Sequence, residues 1–149
     1  MEFKEASLAD KEHCLEMMKD FYRLDNYPFD QVRASVNFRE FIVNQELGKY
    51  WVIINKSEVI GYLVLTFGFS FEHGGRDAFI DEFYLKEEYR GKGIGTEILQ
   101  SLDYYAKKLK INALHLEVER TNKAGDKLYI KSGYKGNDRS LLTKIIKQE

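Results

Sequence analysis

The chain has 149 residues, a length that suits one compact domain with a single sizeable core, so residues 1–149 are read as one unit. Hydrophobic residues make up 44% and charged residues 32%, a balance that excludes an intrinsically disordered chain. Net charge is −1, with no run of Lys and Arg long enough to track a nucleic-acid backbone, so no DNA or RNA partner is expected. That balance suits a small cationic or neutral substrate better than a polyanion.

The opening residues Met1 to Glu5 lack the basic-then-apolar signature of a signal peptide. No apolar run approaches the roughly 20 residues needed to span a bilayer. Phe3 falls in a short strand. Ser7 can cap a first helix in which Leu8, Cys14, Leu15, Met18, Phe21 and Tyr22 recur at helical spacing. Cys14 is the sole cysteine, so no internal disulfide can form, and a reducing, cytoplasmic setting is expected. The only proline, Pro28, marks a loop before a second helix, or a broken pair of helices, from Val32 to Leu47.

From Tyr50 the pattern turns to strands. Trp51–Ile54, a polar turn at Asn55–Ser57, and Val59–Phe71 read as a hairpin with a long second arm. Gly74-Gly75 turns the chain into a strand from Ala78 to Leu85. A helix over Thr96–Leu109 follows, with Lys107, Lys108 and Lys110 at its negative dipole end. Next come a strand through Leu114, Leu116 and Val118, a short helix from Asn122 to Ser132 stopped by Gly133, and a last strand around Leu141–Ile146. This order implies a mixed sheet covered by helices, with one parallel pair joined by the Thr96–Leu109 helix.

Arg90-Gly91-Lys92-Gly93-Ile94-Gly95-Thr96 sits between a strand and an amphipathic helix. Glycines at alternate positions let the backbone approach a ligand, and a helix start offers free N–H donors to an anion. Arg90 and Lys92 add positive charge, and Arg can grip a phosphate through two donors. The spacing is not that of a P-loop, Gly-x-x-x-x-Gly-Lys-Ser/Thr. Nor is it a dinucleotide fingerprint, because Thr96 stands at the third glycine position.

Arg90, Gly93 and Gly95 instead match Gln/Arg-x-x-Gly-x-Gly/Ala, and the run Ile80–Gly95 resembles the heart of the GNAT superfamily of N-acetyltransferases. Asn122, Leu128, Tyr129, Lys131, Gly133 and Tyr134 fall on that family's second pattern, Asn-x-x-Ala-x-x-Leu-Tyr-x-Lys-x-Gly-Phe, with Gly125 in place of its Ala. The resemblance runs from Phe3 to Ile146. It implies an α/β chain of the α+β type: a mixed, mostly antiparallel sheet with a splayed parallel strand pair and helices on both faces. It implies acetyl-CoA as the cofactor and a primary amine, of a small molecule or a peptide, as the acceptor. Homodimers are frequent in the family, so a homodimer is an expectation too.

The same resemblance assigns roles. The backbone of Phe83, Tyr84 and Leu85 would pair with the pantetheine amides. The pyrophosphate would rest on Gly91, Lys92, Gly93, Ile94, Gly95 and Thr96, with the Arg90 side chain beside it. Asn122 would bond near the pantetheine or simply cap its helix. Tyr129 would protonate the leaving thiolate, for which a phenol of ordinary pKa near 10 is a suitable acid. The base that deprotonates the amine is Asp81 or Glu82. Alternation along the strand favours Glu82, while a bulge and the pattern of diamine acetyltransferases favour Asp81. Glu117 and Glu119 are weaker candidates. The loop Phe69–His73 and the segment Tyr22–Phe29, among them Tyr27, Phe29, Phe69 and Phe71, would line the acceptor side. His13, His73 and His115 are scattered, so no metal site is expected. A non-catalytic acyl-CoA sensor is the alternative, disfavoured because the acids and the tyrosine are all present.

Overall fold

The structure, a computed structural model, describes residues 1–148. Its elements in chain order are β1 (Glu2–Glu5), α1 (Lys11–Leu24), α2 (Gln31–Val43), β2 (Gly48–Asn55), β3 (Glu58–Ser70), β4 (Gly75–Leu85), α3 (Ile94–Lys108), β5 (Ala113–His115) and α4 (Lys123–Lys131). The five strands form one sheet in the order β1-β2-β3-β4-β5. Every neighbouring pair is antiparallel except β4 and β5, which run parallel across α3. The mixed sheet expected from the sequence is therefore present. Among the described residues, no helix is long and apolar enough to cross a membrane.

Local chemistry sets the helix starts. Ser7 donates from its backbone N–H and its hydroxyl to the Asp10 carboxylate (2.8 and 3.0 Å), fixing a short 3-10 turn that runs into α1. Asp30 caps α2 by accepting from Arg33 N–H at 3.0 Å. At the end of α4, Gly133 takes the left-handed φ of +91° expected of a helix stop.

Side chains that alternate across the sheet build two cores. On one face Leu63, Leu65, Ala78 and Ile80 pack under Ile98, Leu99 and Leu102 of α3. On the other, Val52, Tyr62, Val64 and Tyr84 pack under Cys14, Leu15 and Met17 of α1 and Phe38 of α2. Cys14 is a small core residue whose thiol burial pushes up to about 11, well away from a reactive thiolate.

The chain departs from the sequence expectation in four places. The second helix stops at Val43, and Leu47 lies in the turn that leads into β2. The long arm of the hairpin stops at Ser70, leaving Phe71 in the turn. The strand expected through Val118 ends at His115, because β4 diverges and leaves the later residues no ladder partner. The strand expected at Leu141–Ile146 does not form. Leu141, Leu142, Ile145 and Ile146 are 65–89% exposed, with no strand beside them to satisfy their backbone.

Leu102, fully buried between α3 and the sheet, carries a stability prediction. Leu102→Ala should lower the unfolding free energy by about 2–5 kcal/mol in urea titrations. Val32→Ala, at a site 77% exposed, should change it by less than about 0.5 kcal/mol.

Candidate active site

The pairing of β4 with β5 lasts three residues, Asp77 with Ala113, Ala78 with Leu114 and Phe79 with His115. Beyond Phe79, β4 continues to Leu85 with a partner on the β3 side only. The outer edge of Phe83, Tyr84 and Leu85 therefore lies open in a widening split, where an extended amide chain could pair as a strand would.

At the far end of β4 the chain enters the glycine-rich turn. Gly91 (φ +71°) and Gly93 (φ +81°) are left-handed, a conformation that side chains disfavour. A Cβ built on either would meet nothing within 4 Å, so the space above the turn is open. Gly93 is the N-cap of α3, and no side chain accepts from the helix's first N–H groups. Those donors, with the positive end of the helix dipole, suit a phosphate. Gly95 has a different reason to be glycine. A Cβ there would stand 3.1 Å from Leu128, so its absence lets α4 close on α3. Arg90 folds back, donating from Nε to Leu85 O at 2.7 Å with its guanidinium 5.4 Å from the Tyr84 ring centre. The Leu85 carbonyl is thus already engaged, while the terminal guanidinium nitrogens stay available beside the turn.

The carboxylates are placed by a break in register. Val64 pairs with Glu82 and Leu65 with Ile80, so Asp81 is an extra residue bulged out of β4. Ile80 faces the α3 core and Tyr84 the α1–α2 core. The extra residue puts Asp81 and Glu82 together on the α1–α2 side, and both line the same two cavities. Simple alternation would have separated them. Glu82 is buried, 8% exposed, with Oε1 accepting from Tyr22 at 2.8 Å and Oε2 from Tyr62 at 2.6 Å. Loss of solvent raises its carboxyl, the two phenols pull it back down, and the charge of Asp81 raises it further, for a net rise. Asp81 is solvent-accessible, and its carboxyl is raised by partial desolvation alone.

The larger cavity, about 610 Å3, is walled by Asp25, Asp81, Glu82, Glu117 and Glu119, with no basic side chain. Tyr22 and Tyr27 complete its aromatic side, and the Tyr27 hydroxyl donates to Glu119, joining the α1–α2 loop to the segment after β5. Phe29 lies in the adjoining cavity of about 220 Å3, its ring edge-on to Tyr22 at 5.4 Å. Phe69 and Phe71 pack on each other at the β3–β4 turn, 70% and 95% exposed, and border neither cavity.

Tyr129 lies on α4, edge-on to Tyr134 at 5.9 Å, and burial raises its phenol. It borders a groove on the outer side of β5 rather than the acidic cavity, and Val118 is common to both. Asn122 caps α4, accepting from Gly125 N–H at 2.9 Å. A Cβ on Gly125 would come within 2.5 Å of the Asn122 side chain, so an alanine there requires that side chain to shift. Among the described residues no cluster of His, Cys, Asp and Glu could hold a metal ion.

Of the two phenols that hold Glu82, Tyr22 falls in the segment expected to line the acceptor side, whereas Tyr62 was not legible as a site residue. Tyr22 reads as part of a helical apolar stripe. The one available signal for Tyr62 was a polar-tipped ring inside the aliphatic run Ile60–Leu65.

Comparison with known proteins agrees with this geometry. Residues 13–134 match the sequence profile of the acetyltransferase (GNAT) family. A Bacillus subtilis protein named uncharacterized N-acetyltransferase YycN is 35% identical over 85 residues, which cover 57% of this chain and 53% of that protein. The match thus spans about half the length of that relative. The solved integron cassette protein HFX_CASS3, from the mobile metagenome of Cole Harbour Salt Marsh, superposes with a TM-score of 0.85 at 28% identity, over 99% of this chain and 91% of its own. A predicted acetyltransferase from Clostridium acetobutylicum, solved with acetyl-CoA, superposes with a TM-score of 0.79 at 21% identity, over 96% of this chain and 95% of its own.

The phenol–carboxylate contacts make a testable prediction. Tyr62→Phe removes a hydrogen bond that favours ionised Glu82, so the Glu82 titration midpoint should move up, read by carboxyl 13C NMR. An unchanged or lowered midpoint would show that Tyr62 does not hold the charge.

Proposed function

The chain belongs to the GNAT acetyltransferase family, and on that premise we propose that it transfers the acetyl group of acetyl-CoA to a primary amine by direct attack. The observation that carries this reading is the open edge of β4 leading into an open glycine turn at the start of α3. Phe83 offers its backbone N–H and C=O to the pantetheine arm and Leu85 its N–H, while the backbone groups of Tyr84 point to β3. Gly91 to Thr96, with Arg90 and Lys92 beside them, offer donors and positive charge to the pyrophosphate. The acetyl-CoA carried by the Clostridium acetobutylicum structure supports the same choice of donor.

Asp81 is the base in this reading. It is accessible from the acidic cavity and raised by desolvation, so it takes a proton from the incoming ammonium more readily than an ordinary carboxylate. Glu82, with both oxygens held by phenols, acts as a fixed negative charge that orients the amine. Tyr129 gives its proton to the departing sulfur. Burial raises its phenol, which is protonated at neutral pH though a weaker acid than an exposed phenol.

Five carboxylates without a cation favour an acceptor with a second positive charge, such as a diamine or a basic amino-acid side chain. Such a ligand is attracted over the cavity's length, while a neutral-tailed amine meets the charge at one end only.

Release of coenzyme A, measured with a thiol reagent, tests this. 1,5-Diaminopentane should show a KM at least about tenfold below that of 1-aminopentane, a difference of about 1.4 kcal/mol. Asp81→Asn and Tyr129→Phe should each lower kcat by about 10²-fold or more. Binding of acetyl-CoA with no turnover of any amine would move the chain to the alternative, a non-catalytic acyl-CoA-binding module.

A further inference from the structure

The two cavities beside Asp81 differ in chemistry and share one wall. Tyr22, Pro28, Asp81 and Glu82 line both. Phenols from α1 and β3 hold Glu82 in place, so that wall is fixed. The larger cavity runs from it past Asp25, Glu117 and Glu119. The smaller one, of about 220 Å3, lies between α1, α2 and β3, among Met18, Phe29, Ala34, Phe38, Phe41 and Val64. A cationic acceptor suits the acids of the larger cavity but gives the smaller one nothing to hold.

An apolar cavity of about 150 Å3 takes up benzene, so one of about 220 Å3 has room for a benzyl group or a branched aliphatic one. Its walls are packed rather than pliant. Phe38 and Val64 are only 4% and 6% exposed, and Phe38 stands edge-on to Tyr50 at 5.3 Å. Among the described residues, Arg33 is the one basic side chain on either cavity, and Asp30, Asp81 and Glu82 outnumber it on the smaller one. A free carboxylate is therefore disfavoured in both.

An amine brought to Asp81 stands where the two cavities meet. A linear amine fills one of them and leaves the other to water. An amine on a branched carbon fills both. We propose that the acceptor is the α-amine of a large apolar amino acid whose carboxyl group is joined in an amide. The apolar side chain enters the smaller cavity, and the amide leads into the acidic one. Such an acceptor presupposes the proposed transfer to an amine, and it carries its second positive charge beyond the amide.

Three dipeptide amides, each with one primary amine, test the two arms separately: Phe-Arg-NH2, Ala-Arg-NH2 and Phe-Glu-NH2. In kcat/KM, Phe-Arg-NH2 should exceed Ala-Arg-NH2 by at least about tenfold, because a whole ring is buried. It should exceed Phe-Glu-NH2 by at least about tenfold as well, because the acids repel a carboxylate. Ala34→Phe, which fills the smaller cavity from α2, should erase the preference for phenylalanine over alanine. Ala34→Leu, a smaller filling, should reduce it and serves if the phenyl variant fails to fold by circular dichroism. A smaller preference in the unaltered protein, one that Ala34→Leu leaves intact, or faster turnover of Phe-Glu-NH2 overturns the proposal. Turnover of 1,5-diaminopentane without any dipeptide amide overturns it too, while sparing the transfer to an amine. Should no amine be turned over, that transfer fails instead, and calorimetric titration with coenzyme A present decides the cavity. Tighter binding of Phe-Arg-NH2 than of Ala-Arg-NH2, weakened in Ala34→Leu, would uphold it, and equal binding would overturn it.

Discussion

β4 has a neighbour on its outer side for only three residues, and the candidate site depends on that early parting from β5. Had the two strands stayed paired, the outward backbone groups of Phe83 and the Leu85 N–H would be consumed by the ladder. Parting leaves those groups unpaired at the edge of a split, and the same strand delivers the chain to the open turn at Gly91–Gly93. The helix that follows must cross back over the sheet to make the parallel pair, which sets its N-terminus at the mouth of the split. One local failure of strand pairing thus creates an extended slot and aims a helix dipole at one end of it.

The bulge at Asp81 does comparable work on the acceptor side. A single extra residue brings two carboxylates to one face, where regular alternation would send one into the α3 core. Burying Glu82 there is unfavourable unless its charge is met, and an unmet buried polar group costs about 1–3 kcal/mol or more. Tyr22 and Tyr62 meet it with one bond to each oxygen. They come from α1 and β3, so the charge is held by packed elements rather than by a loop. Asp81 has no such support and keeps the freedom that proton transfer needs.

Much of the fold was legible because its signals are local. Hydrophobic spacing marked α1, α3 and the β2–β3 hairpin, and the glycines marked the turn. The placement of the carboxylates was half legible: the resemblance offered a bulge, but a bulge is a property of the pair Val64–Leu65 with Glu82 and Ile80 and leaves no mark in either strand alone. Sequence reasoning posed a choice between Asp81 and Glu82, whereas the register places both on one side. Phe69 and Phe71 carry an aromatic signal that fits a pocket wall equally well, yet the hairpin extends past the site and holds them at its tip. Leu141–Ile146 reads correctly as strand-forming material; whether it becomes a strand depends on a partner outside its own sequence.

The account rests on the split and the turn together holding acetyl-CoA, and calorimetric titration tests that most directly. Acetyl-CoA should bind the unaltered protein, bind more weakly to Arg90→Ala, and fail to bind Gly93→Asp, whose side chain would place a negative charge at the helix start and strain a left-handed residue. ATP should bind poorly, since the β4 edge offers it nothing to pair with. Equal binding of acetyl-CoA by the unaltered protein and by Gly93→Asp, or a preference for ATP, would contradict the account.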